Sequence, residues 1–165
     1  MLMEDITFRK ATVADLSEVE KIYEGARSFM RSTGNPTQWA GGYPDRATIL
    51  SDIEKGQLYL AVGDGIEGVF AYIPGDYPTY SYIEGEWPDS LPYSVVHRVA
   101  SAGKRRGMIK LIMDYCFETS DRIRIDTHED NLVMQKALES YGFTRCGIIY
   151  LENGDPRIAY QKNKV

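Results

Sequence analysis

The sequence predicts a single mixed α/β domain, and three observations carry that prediction. The chain has 165 residues, 43% of them hydrophobic and 26% charged, which is enough to bury one core and too little for two. Blocks of apolar residues with helical and strand periods follow one another from end to end. One block, residues 94–127, reads strand, helix, strand, which is the unit of a parallel crossover.

Taken in order, Ile6-Thr7-Phe8-Arg9 alternates apolar and polar as a first strand does. Thr12, with Asp15 in the first turn, caps a helix whose apolar face is Leu16, Val19, Ile22, Tyr23, Ala26, Phe29 and Met30 and which stops near Gly34. Residues 34–44 are rich in Gly and Pro and read as loop; a second helix over 45–55 closes at Gly56. Strands at 58–62 and 66–73 flank Gly63-Asp64-Gly65 and form a hairpin. Pro74, Pro78, Pro88 and Pro92 then fall in a Tyr-rich connection, and a long ordered loop in a compact domain is more often functional than idle. A strand at 94–100 leads to a helix at 107–117 with Met108, Leu111, Ile112 and Tyr115 on one face. A strand at 122–127, a helix at 131–141 closed by Gly142, and strands at 143–151 and 157–161 around a turn complete the chain.

The net charge of −5 disfavours a protein that grips nucleic acid through bulk positive charge, so any anion site is local. Cys116 and Cys146 each lie in apolar stretches and build neither a disulfide framework nor a metal site. No apolar run has the roughly 20 residues of a membrane span. Glu4 and Asp5 stand where a signal peptide carries positive charge, so a cytoplasmic protein is expected. The charges are unevenly placed. From Asp64 to Tyr93 there are six acids (Asp64, Glu67, Asp76, Glu84, Glu86, Asp89) and no Lys or Arg; residues 97–124 carry a surplus of four positive charges. Flanking one cleft, these segments would suit an anionic cofactor and a cationic substrate; the alternative is two solvated surfaces.

The chemically suggestive segment is Ser94-Val-Val-His-Arg-Val-Ala-Ser-Ala-Gly-Lys-Arg-Arg-Gly-Met-Ile109. A strand runs through a short loop into a helix whose first-turn amides are free, which is where phosphates bind. Lys104, Arg105 and Arg106 stand at that turn, and Gly107 would let a pyrophosphate approach the backbone. Neither a Gly-Lys-Ser/Thr loop nor a Gly-x-Gly-x-x-Gly pattern is present.

Here the sequence resembles the GNAT superfamily of N-acetyltransferases, whose acetyl-CoA signature is Gln/Arg-x-x-Gly-x-Gly/Ala. Lys104-Arg-Arg-Gly107-Met-Ile109 matches at Gly107 and departs at Lys104 and Ile109. Asn131, with Gly142-Phe143 eleven and twelve residues later, is similar to the family's Asn…Gly-Phe helix, and the order of elements agrees over nearly the whole chain. The resemblance implies the acyl-CoA N-acyltransferase fold over residues 1–165: a mixed, mostly antiparallel central sheet with helices on both faces. It implies acetyl transfer from acetyl-CoA to a primary amine, on a small molecule or a peptide, by direct attack in a ternary complex. Strand 94–100 would splay from strand 122–127, with Val99 and Ser101 holding the pantetheine arm, Lys104, Arg105, Arg106, Gly107 and Met108 the phosphates, and Asn131 contributing to the cofactor site. It also leads one to expect a homodimer. The position of the family's usual acid Tyr, seven residues after Asn131, is Leu138; Tyr141 packs beside Gly142.

For the base, His97 sits mid-strand beside the proposed thioester site and has an unperturbed pKa of about 6.5; a half-buried structural histidine is the competing reading. His128 follows strand 122–127 and either lines the same cleft as a substrate residue or belongs to a helix-leading loop. Glu84 is the carboxylate expected to reach the amine, as base through a water or as electrostatic anchor, in a segment whose acids alternate with aromatics that would suit a cation. The alternative is a loop folded on itself with Glu84 solvated. Trp39 is a candidate substrate wall or a core plug. The two histidines with Asp126 have no ligand-type spacing, and no metal is expected. Two other classes compete: an acyl-CoA-binding module without catalysis, acting as sensor or recognition domain, and an acetyltransferase for aminoacyl-tRNA, which the net charge disfavours.

Overall fold

Alternating apolar residues form one sheet in the computed structural model, which describes residues 5–165; residues 1–4, Glu4 among them, lie outside it. The strands are β1 (Thr7–Lys10), β2 (Leu58–Gly63), β3 (Gly65–Pro74), β4 (Glu84–Gly85), β5 (Ser94–Ser101), β6 (Arg122–Thr127), β7 (Thr144–Tyr150) and β8 (Pro156–Asn163). Seven of them lie within two residues of the positions read from periodicity. β4 was not expected, because two residues are too short to carry a period. The order is β1-β2-β3-β5-β6-β8-β7-β4. Only the β5–β6 pair is parallel among the described residues, and the crossover between them is the helix read from residues 107–117.

The helices are α1 (Leu16–Ser32), α2 (Arg46–Glu54), α3 (Met108–Cys116) and α4 (Leu132–Tyr141). Thr12 and Asp15 close a capping box over a short 3₁₀ turn that leads into α1, and Asp45 caps α2 by accepting the Thr48 N–H at 2.9 Å. Along β2, Leu58 and Leu60 pack toward α1 and α2, while Tyr59 and Ala61 pack toward α3 and α4. The sheet therefore has two helices on each face.

The Tyr-rich connection lies on the α1–α2 face as a third cluster with Tyr80, Val95, Ile149 and Ala159 at its centre. Its aromatics do enclose a cation, but the cation is internal: the Arg124 guanidinium lies 3.9 Å from the Trp87 ring centroid and 4.1 Å from that of Tyr93. Two of the six acids between Asp64 and Tyr93 likewise meet the chain's own bases. Asp89 pairs with Arg122 at 3.1 Å and buried Glu67 pairs with Arg105 at 2.5 Å, while the Asp64 backbone carbonyl accepts from Lys104. The opposed charge segments thus meet each other in part instead of both facing a ligand.

β5 and β6 pair only at Ser94–Ile123 and Val95–Arg124, and beyond Val95 they diverge. The divergence begins at a bulge: Ala71 pairs with His97, but Val69 pairs with Ala100, so β5 holds one residue more than β3. Arg98 takes up the extra residue at φ 50°, a conformation that costs a non-glycine residue about 1–3 kcal/mol. Three contacts hold it there. The Arg98 Nε and Nη2 each donate to Asp52 of α2 at 2.7 Å, Nη1 reaches the Tyr43 hydroxyl at 3.2 Å, and the buried Tyr23 hydroxyl donates to the Arg98 carbonyl at 2.8 Å. Asp52→Asn leaves a buried guanidinium half-paired on a strained residue, and a loss of roughly 3 kcal/mol of stability is expected in urea unfolding; a loss below about 1 kcal/mol would show that the bulge stands without the pair.

Candidate functional site

A cleft of about 650 Å³ opens where β5 and β6 part. Its walls are β5 at His97–Val99, β6 at Ile125–Thr127, the loop carrying Trp39 and Tyr43, the turn at Tyr77–Thr79, the start of α4, and the β7–β8 hairpin. The loss of the parallel ladder beyond Val95 leaves backbone groups of β5 facing this space without a partner strand.

His97 Nδ1 lies 3.7 Å from Asp126 Oδ2, with both side chains largely buried. The Tyr80 hydroxyl donates to the same Asp126 oxygen at 2.6 Å, and Tyr77 sets its ring edge-on to His97 at 5.1 Å. Burial pushes the His97 pKa below its usual value, opposed by the Asp126 carboxylate. The imidazole is therefore neutral at neutral pH and free to take a proton. Burial raises the Tyr77 phenol, which keeps its proton. Asp126 and Arg124 occupy alternate positions on the same face of β6, an unusual pair of charges in a buried strand; that alternation was the available signal for Asp126. Tyr77, Tyr43 and Arg157 carry no such signal, since only folding brings them to the cleft.

The β5–α3 loop carries the residues of the predicted anion site. Gly107 has φ 77° as the N-cap of α3, and the space where a Cβ would point is open. The first-turn amides of α3 have no intrahelical acceptors. Arg106 is exposed and makes no ion pair among the described residues. Lys104 and Arg105 are engaged within the chain, Arg105 holding the Glu67 carboxyl below the usual carboxylate range. The Met108 side chain belongs to the core, seated over Gly68, where a Cβ would come within 2.8 Å of its sulfur; only the Met108 backbone is left for a ligand. Ser101 Oγ accepts the Gly103 N–H at 3.1 Å and shapes the loop.

The remaining candidates divide. Trp39 and Val99 line the cleft, Trp39 packed edge-on against Tyr23. Asn131 lines it too, but its side chain caps α4 through the Met134 N–H at 3.0 Å and donates to Gln38 at 2.9 Å. His128 does not line it: Nδ1 accepts the Asp130 N–H at 2.9 Å, so Nε2 carries the proton to Thr37 Oγ1 at 3.0 Å, and both nitrogens are occupied. Glu84 lies on β4, at the far edge of the sheet, exposed and bonded to the Tyr150 hydroxyl; the structure does not bring it to His97. The acids that do line the cleft are Asp126, Glu152 and Asp155. Leu138 is fully buried, and the Tyr141 hydroxyl donates to Asp114 at 2.7 Å while its ring stacks on Phe117.

The sequence matches no protein-family model. It is not similar to any curated protein. Solved structures are similar. An acetyltransferase of the GNAT family from Streptococcus agalactiae is 31% identical, with a TM-score of 0.88 over 100% of this chain and 99% of that one. A Salmonella typhimurium protein solved with its cofactor acetyl-CoA is 15% identical, with a TM-score of 0.63 over 96% of this chain and 94% of that one. An aminoglycoside acetyltransferase bound to coenzyme A and kanamycin is 20% identical, with a TM-score of 0.64 over 97% of this chain and 95% of that one. The last two share the fold.

The cleft electrostatics are open to direct measurement. His97 should titrate below about 6.5 in imidazole NMR, and lower still in Asp126→Asn, because the carboxylate is what favours the charged ring. A His97 pKa that rises on removing Asp126 would contradict this arrangement.

Proposed function

The chain belongs to the GNAT family of acetyltransferases, and from that premise we propose that it transfers the acetyl group of acetyl-CoA to a primary amine by direct attack in the cleft between β5 and β6. The observation that carries this reading is the His97–Asp126 pair beside the unpaired edge of β5. The residues fit the co-substrate. The α3 first-turn amides, Gly107 and Arg106 suit its phosphates. The Thr127 hydroxyl, buried in the cleft wall with no partner among the described residues, suits a polar group entering between the strands.

When bound, acetyl-CoA supplies an activated thioester. His97, held neutral by burial, accepts the proton that the amine sheds as its nitrogen bonds to the carbonyl carbon. Backbone N–H groups of β5 near Val99 stabilise the oxyanion. As the carbon–sulfur bond breaks, Tyr77, protonated and beside His97, is the donor for the leaving thiolate. Glu84 has no part in this scheme.

Free thiol should appear when the protein is mixed with acetyl-CoA and an amine panel. If acetyl-CoA raises the melting temperature yet no amine releases thiol, the chain is an acyl-CoA-binding module, a reading to which the apolar Leu138 at the family's usual acid position gives some support. His97→Gln should lower kcat at pH 7 by about 100-fold or more. In the wild type, kcat/KM should fall as pH drops through the depressed His97 pKa, because the charged ring cannot take the amine proton; a limb at the ordinary histidine value or above would remove His97 as base. Arg106→Glu should raise KM for acetyl-CoA with little change in kcat.

A further inference from the structure

Three arginines lie largely buried on the face of the sheet that carries the Tyr-rich connection, and two of them have their charge answered. Arg98 has the Asp52 carboxylate, and Arg124 has two aromatic rings together with bonds to Gln161 at 2.8 Å and to the Asp89 carbonyl at 2.9 Å. Arg157 has neither. Asp126 pairs with Ala159 and Arg124 with Gln161, so Arg157 continues the same row of β8 one step toward the cleft, diagonal to Asp126. It is 7% exposed, lines the cleft, and makes one hydrogen bond, from Nη1 to the adjacent Pro156 carbonyl at 2.8 Å. Its Nε and Nη2 have no partner among the described residues, and it forms no ion pair there.

An arginine does not lose its proton in a protein, and the Asp126 and Asp155 carboxylates act on Arg157 only from a distance, with none bonded to its fork, so its burial is costly. A further polar group of the same cleft, the hydroxyl of Thr79, is buried without a partner among the described residues. Together they describe a wall prepared for a ligand that accepts hydrogen bonds. The phosphates of a coenzyme are not that ligand, because the free helix terminus of α3 lies on the opposite face of the sheet. The other charges in the wall narrow the choice. With Arg98 answered by Asp52, the acids Asp126, Glu152 and Asp155 outnumber Arg157 and repel a dianion, whereas a group carrying one negative and one positive charge meets complementary partners for both.

We propose that Arg157 anchors a carboxylate on the acceptor, so that the acceptor is an amino acid whose carboxylate lies on Arg157 and whose amine faces His97. The inference rests on the acetyl-transfer reading and specifies its substrate class. A guanidinium fork matches a carboxylate with two parallel bonds, which fixes the acceptor at one end and leaves its amine directed at the base. The charge of Arg157 is felt at His97, where it lowers the imidazole pKa, so the two groups are within electrostatic reach of each other.

The test pairs each of a panel of L-amino acids with its own carboxamide and measures binding to the coenzyme A-loaded protein by calorimetry, for wild type, R157Q and R157K. At least one amino acid should bind the wild type tenfold or more tightly than its carboxamide; R157Q should abolish that preference and R157K retain part of it. The proposal is overturned if no amino acid binds, if acids and carboxamides bind alike, or if the preference survives in R157Q. Should R157Q fail to unfold cooperatively, the acid-to-carboxamide ratio in the wild type decides alone. Thiol release from acetyl-CoA is read on the same panel. A carboxylate preference without thiol release ends the acetyl-transfer reading and leaves the anion site standing; thiol release from amines that bind equally well with and without a carboxylate does the reverse.

Discussion

A strand in a packed sheet keeps pace with its neighbour unless it accommodates an extra residue, and in this protein that residue is Arg98, held by its bond to Asp52. The extra residue turns β5 away from β6, and the cleft exists because of the turn. The arrangement draws on distant parts of the chain: the carboxylate comes from α2, the hydroxyl on the Arg98 carbonyl from Tyr23 of α1, and a further contact from Tyr43 in the loop between them. The first half of the chain therefore acts as a brace for a site whose chemistry lies mostly in the second half. Stability and the shape of the cleft are coupled at that brace, since the same buried pair that offsets the strain at Arg98 also fixes the backbone beside His97.

The distribution of charge follows a related logic. Read along the chain, an acidic segment precedes a basic one, which suggests two ligand-facing surfaces. In space some of these charges meet one another, Glu67 with Arg105 and Asp89 with Arg122, because burying a charge without an opposite partner is costly and a folded chain brings complementary segments together. The positive charges that remain available are few. Arg106 at the helix terminus and Arg157 in the cleft stand out because their neighbours in sequence or in space are engaged.

Much of the architecture was legible in the sequence, because it depends on periods and caps. The apolar alternation of β2, β3 and β6, the Thr12–Asp15 box and the glycine after α4 each have a local cause and each appear close to where they were read. His97, Val99 and Trp39 reached the cleft for the same reason, being set by their place on a strand or in a Gly-flanked loop. Glu84 and His128 did not. Glu84 was assigned through the composition of its segment, which says nothing of where a Pro-rich connection crosses the sheet, and the cation that its aromatics suggested was Arg124. The acidic partner of His97 is 29 residues away on a neighbouring strand and approaches it only past the point where the two strands have separated, a relation that no short motif encodes.

The cleft passes between strands, so it is reached from both faces of the sheet. On one side its lining takes in Val99 and Met134, which pack toward the face that carries α3; on the other it takes in Trp39, Tyr43 and Arg157, carried by a loop and a hairpin outside the crossover. Under the proposed reaction, donor and acceptor arrive by separate doors and meet in the middle, so neither has to wait for the other to enter or leave. The loop at the acceptor door is fastened at its rim, through Gln38 to Asn131 and Thr37 to His128, and to β5 through the Tyr43 hydroxyl on Arg98. Substitutions there, away from Tyr43, can remodel what enters on that side while the donor side and the sheet remain as they are, which makes the acceptor side the part of the molecule free to diversify.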